Sequence, residues 1–86
     1  MSQAVSGGMT PGEVRWRCRR GNLELDRLLG RYLQVRYPVA PPEERAAFES
    51  LLRLEDPVLL DLLTGRSPAV GDEALVVAWF LGTAAD

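Results

Sequence analysis

The stretch RRGNLELDRLLGRYL, Arg19 to Leu33, decides how the chain reads. Its second half places apolar residues at 25, 28, 29, 32 and 33. That is the i, i+3, i+4, i+7, i+8 stripe of an amphipathic helix. Its first half is a boundary: Gly21 breaks the preceding segment, and Asn22 is a residue type suited to cap the next helix. A boundary needs a glycine and a cap, but it does not need Arg19 and Arg20. Gly30 interrupts the stripe at a cost of about 1 kcal/mol relative to alanine, which close packing against a neighbouring helix would explain.

Outward from this helix the same signals recur. Thr10-Pro11-Gly12-Glu13 has capping-box spacing with proline at the first helical position, so a short helix is expected over roughly 11–19. It carries Val14, Trp16 and Cys18. Tyr37-Pro38 ends the second helix. Val39 to Pro42 link it to a third helix with Glu43 and Glu44 in its first turn and Ala47, Phe48, Leu51 and Leu52 on its apolar face. Asp56-Pro57 starts a fourth, with aspartate as cap and proline at the first position; Leu59, Leu60, Leu62 and Leu63 follow, and Gly65 closes it. The last helix begins near Val70 or Asp72 and turns Leu75, Val76, Trp79 and Phe80 inward. Five short helices with short connections and no strand pattern imply a small all-α five-helix bundle. The expected organisation is a flexible start over 1–10, one helical domain over 11–83 and a frayed end over 84–86.

The 86 residues suit a single domain with a thin core. One cysteine, Cys18, leaves no internal disulfide, and there is no histidine. The usual general base and metal ligand are therefore missing from the chain, and no metal site is expected. No serine–histidine set and no glycine-rich phosphate loop is present. Cys18 falls at an apolar-facing position and reads as an inert core residue. The acidic pairs at 43–44, 55–56 and 72–73 all lie at helix starts, where they complement the helix dipole. Nothing approaches the ~20 apolar residues of a membrane span. The opening residues form neither a signal nor a transit peptide. The expectation is a soluble, cytoplasmic, bacterial-type protein without membrane insertion, and a monomer.

Charge is uneven. Residues 15–36 hold seven arginines against Glu24 and Asp26, whereas residues 37–86 hold three arginines against nine acids. The arginine-rich front is either a solvated face or a binding surface for an acidic partner. An overall pI near 5.1 argues against nucleic acid. For a protein partner, Trp16, Arg17, Arg19, Arg20 and Glu24 form a corner rich in hot-spot residue types. Gly21 there serves either a partner's close approach or a positive φ. Glu24, four residues after Arg20, either belongs to this site or merely complements the helix start and pairs with Arg20.

WRCRRGNLELD, followed by LEDPVLLDLL and a final helix, resembles the SdhE family of small succinate dehydrogenase assembly factors, also called flavinylation factors. The family hallmark Arg-Gly-x-x-Glu is matched by Arg20-Gly21-Asn22-Leu23-Glu24. Trp16 before it, Leu25-Asp26 after it and the Asp56-Pro57 start also fit, over about residues 13–82. Family members often carry an aromatic residue in the fourth helix, where this chain has Leu60 and Leu62. The resemblance implies a non-enzymatic helper that binds the flavoprotein subunit of succinate dehydrogenase, fumarate reductase or both. It also implies that the helper promotes covalent attachment of FAD to a histidine of that partner. The FAD is then the partner's cofactor, and this chain binds none tightly. The partner-binding residues it implies are Trp16, Arg19, Arg20, Gly21, Glu24 and Asp26, with Arg20→Ala and Glu24→Ala expected to leave the fold intact. An alternative carried with this family is the antitoxin of a small toxin–antitoxin pair.

Overall fold

The computed structural model describes residues 9–84. Residues 1–8, most of the expected N-terminal segment, and residues 85–86 of the expected frayed end lie outside them. Five α-helices form: α1 Pro11–Arg17, α2 Leu23–Val35, α3 Pro42–Leu51, α4 Asp56–Leu63 and α5 Glu73–Ala84. A single 3-10 turn, Tyr37–Val39, joins α2 to α3. No strand occurs among the described residues, and the all-α bundle expected from the helix signals is the fold that forms.

Local chemistry sets most boundaries. Thr10 accepts the Glu13 N–H at 3.1 Å and Asn22 accepts the Leu25 N–H at 3.1 Å, so both predicted caps operate. α1 stops at Arg17, two residues before the expected end, and Cys18 caps it. At α4 the expectation is corrected. Glu55 is the N-cap, and Asp56 is already helical. Glu55 has the extended backbone of a cap but makes no side-chain cap bond, and the Asp56 carboxylate instead accepts from Arg20 Nε at 2.9 Å. Gly65 follows the Thr64 cap with φ +81°.

α3 and α4 pack on α5. Leu25 and Leu29 of α2, Phe48 and Leu51 of α3, Leu59 of α4 and Val76 of α5 are fully buried. Tyr32 is the centre of an aromatic group: it stacks on Phe48 at 4.3 Å and on Phe80 at 5.4 Å, and meets Trp79 edge-on at 5.2 Å. Its hydroxyl donates to Glu44 Oε2 at 2.6 Å, and Arg36 grips the same carboxylate through Nε and Nη2 at 2.9 and 2.8 Å. Glu44 is therefore a buried anion with its partners in place, not only a first-turn acid. Hydrogen bonding from the Arg36 guanidinium holds the Glu44 carboxyl below the ordinary range, against burial, which acts in the opposite sense.

Three further expectations are corrected. Leu75 is exposed, and the buried face of α5 is Val76, Val77 and Phe80. Met9 is buried, and its N–H donates to Glu49 Oε1 at 3.0 Å, so the packed structure reaches back before residue 11. Gly30 is not a helix-contact glycine, because a Cβ built on it would meet nothing within 4 Å.

Candidate functional site

The α1–α2 corner is built by hydrogen bonds that converge on Arg20. Its N–H donates to Asp26 Oδ1 at 2.7 Å, tying the corner to the first turn of α2. Its guanidinium faces the other way. Nε binds Asp56, and Nη1 donates to the carbonyls of Arg17 at 3.1 Å and Leu52 at 2.8 Å. Nη2 donates to the carbonyl of Leu54. One side chain, 11% exposed, thus joins the end of α1, the exit of α3 and the start of α4. The planar fork of arginine can serve these carbonyls and the carboxylate together; lysine, a single ammonium, cannot.

Gly21 completes the turn with φ +76° and an open Cβ position. The positive φ is what demands glycine here, since an L side chain in that region costs roughly 1–2 kcal/mol. With Arg20 fastened inward and Gly21 reversing the chain, Asn22 starts α2, and Glu24 lies on its outer face. Glu24 is exposed, and its side chain makes no ion pair or hydrogen bond with the described residues. The surface Arg20–Glu24 pair considered from the sequence does not form, because Asp56 holds the Arg20 guanidinium. Glu24 instead borders a shallow groove of about 260 Å³ with Arg27, Leu28 and Arg31.

Of the six residues singled out from the sequence, Trp16, Arg19, Gly21 and Glu24 are exposed, while Arg20 and Asp26 are partly buried in the turn. Trp16 is 69% exposed, with the Arg17 guanidinium 5.6 Å from its ring. Trp16, Arg17, Arg19 and Arg20 line a groove of about 330 Å³ together with Arg53 and Asp56. Arg20 holds three elements together, so Arg20→Ala carries a cost in stability that the motif alone did not announce.

The sequence reading missed Leu23, which is 76% exposed. Its position was a signal, since it falls off the 25–28–29–32 stripe. Cys18 lies under the corner, 4% exposed. Burial pushes its thiol up to about 11, so it is neutral and a poor nucleophile. Among the described residues no group of His, Cys, Asp and Glu could hold a metal ion. No helix among the described residues is long and apolar enough to cross a membrane.

Residues 13–83 match the family model described as flavinator of succinate dehydrogenase. The chain is 42% identical over 78 residues to the FAD assembly factor SdhE of Methylococcus capsulatus, covering 86% of this chain and 94% of that protein. It is 43% identical over 54 residues to the FAD assembly factor SdhE of Coxiella burnetii, covering 63% and 66%. No solved structure matches it.

Proposed function

The chain belongs to the family of succinate dehydrogenase flavinators, which are non-catalytic assembly factors, and from that premise we propose which surface acts and on what. The α1–α2 corner docks on the flavoprotein subunit of succinate dehydrogenase, fumarate reductase or both, and promotes covalent attachment of FAD to that subunit. The observation that carries this is the exposed, uncommitted carboxylate of Glu24 on a corner that Arg20 and Gly21 fix in place. Trp16, Arg19 and Gly21 surround the turn and supply contact area. Arg20 and Asp26 act mainly by holding the turn in shape, with the Arg20 guanidinium forming one wall of the adjoining groove.

The bond-forming histidine and the FAD belong to the partner, since this chain has no histidine. The helper supplies geometry: a rigid docked surface holds the partner's histidine and flavin in register, and positioning of this kind lowers a barrier by several kcal/mol. It works as a monomer in the cytoplasm and carries no tightly bound flavin of its own. The test is in-gel flavin fluorescence of the denatured flavoprotein subunits from cells with and without the gene. Loss of signal on deletion, restored by the wild-type gene, is expected. An unchanged signal in both subunits contradicts the proposal.

A further inference from the structure

Glycine inside a helix weakens it, and nothing in this fold requires the glycine at position 30. The space that a side chain there would occupy is part of an open groove of about 440 Å³. That lies within the ~300–1,000 Å³ span of ligand clefts. Arg15, Cys18 and Arg19 line it from α1 and its exit; Asp26, Gly30 and Leu33 line it from α2. Positions 26, 30 and 33 share one helix face by their i, i+4, i+7 spacing. The buried thiol of Cys18 is neutral, and Asp26 already accepts the Arg20 N–H. Arg15 and Arg19 are exposed and make no ion pair or hydrogen bond through their side chains with the described residues. The groove therefore combines two uncommitted guanidinium groups with room left open by a missing side chain.

We infer that this groove receives an acidic side chain from a segment of the partner flavoprotein, which Arg15 and Arg19 bind while Gly30 leaves space for the incoming chain. The inference rests on the docking proposal above and adds a second contact beside the Glu24 corner. Charge decides the occupant: a guanidinium pair matches a carboxylate in geometry as well as sign. The chain's own acidic half makes a second copy the competing occupant.

The test uses the purified full-length chain and the purified FAD-free flavoprotein subunit of succinate dehydrogenase. Gly30→Ala should raise the melting temperature by about 4–8 °C, because helix propensity improves and nothing clashes. Gly30→Met should melt no lower than wild type, yet bind the flavoprotein about tenfold more weakly by filling the groove. The Arg15→Ala/Arg19→Ala double variant should also bind more weakly, with a shallower dependence on salt. Wild-type affinity for Gly30→Met overturns the inference. So does a loss of self-association, seen by sedimentation, with flavoprotein binding intact. If Gly30→Met binds normally while Glu24→Ala does not, the groove fails and the corner stands. If the wild-type chain does not bind the flavoprotein, both fail.

Discussion

Replacing Arg20 by alanine removes four charge-assisted contacts at once: the pair with Asp56 and the bonds to the carbonyls of Arg17, Leu52 and Leu54. Hydrogen bonds to charged groups contribute about 1.5–3 kcal/mol each. The sum overstates the loss, because the groove beside Arg20 is open and water can re-solvate the abandoned carbonyls. The Asp56 side chain is 37% exposed, which weakens its share further. A net loss of about 2–4 kcal/mol is the expectation. An 86-residue domain at roughly 0.05–0.15 kcal/mol per residue has about 4–13 kcal/mol in total, so this is a large fraction of its stability. At about 4–8 °C per kcal/mol the melting temperature should fall by roughly 10–25 °C. The assay is thermal unfolding followed by far-ultraviolet circular dichroism. Arg20→Lys should recover only part of the loss, since an ammonium cannot reproduce the fork. A fall in melting temperature smaller than about 4 °C for Arg20→Ala, the size of a neutral surface change, would refute the clamp.

The Tyr32–Glu44–Arg36 cluster makes stability depend on pH. Glu44 has its carboxyl held below its usual 4.5, so its contribution is full above that value and is lost as pH falls through the lower folded one. Urea midpoints measured from pH 6 downward should fall more steeply for wild type than for a Glu44→Gln variant, and parallel curves would contradict the assignment. At the alkaline end burial raises Tyr37 from 10.0 to about 12 and raises Tyr32 further. Stability from these phenols is full below 10 and lost as pH climbs through the folded values; a flat stability profile above pH 10 would contradict it. Cys18 should react with iodoacetamide at pH 8 far more slowly in the native chain than in urea, and equal rates would mean the thiol is not buried.

Local signals carried the fold. The capping residues Thr10 and Asn22 and the α2 stripe act within one or two helical turns, and a sequence displays such spacing directly. The register of α5 was not legible, because residues 74–81 are all apolar and offer no polar face to rule out. Tertiary contact alone turns Val76, Val77 and Phe80 inward and leaves Leu75 outside. Glu44 looked like an ordinary first-turn acid, because Tyr32 and Arg36 reach it only after α2 and α3 pack together. The motif marked the corner but not how its residues divide the work. Arg20 and Glu24 are four positions apart, yet Arg20 finds partners 32 to 36 residues away, while Glu24 finds none in the described fold. Gly30 resembled a packing glycine until its surroundings proved empty.

The central claim is that an exposed carboxylate on a fixed corner promotes flavinylation of a partner. Its most direct test is reconstitution from purified parts: FAD-free flavoprotein subunit, FAD, and either the wild-type chain or Glu24→Ala, with protein-bound flavin measured after denaturation. The account predicts that Glu24→Ala melts within a few degrees of wild type, as an exposed substitution should, and yet fails to raise covalent flavin above the level without helper. Flavin loading by Glu24→Ala equal to that by the wild-type chain would contradict it.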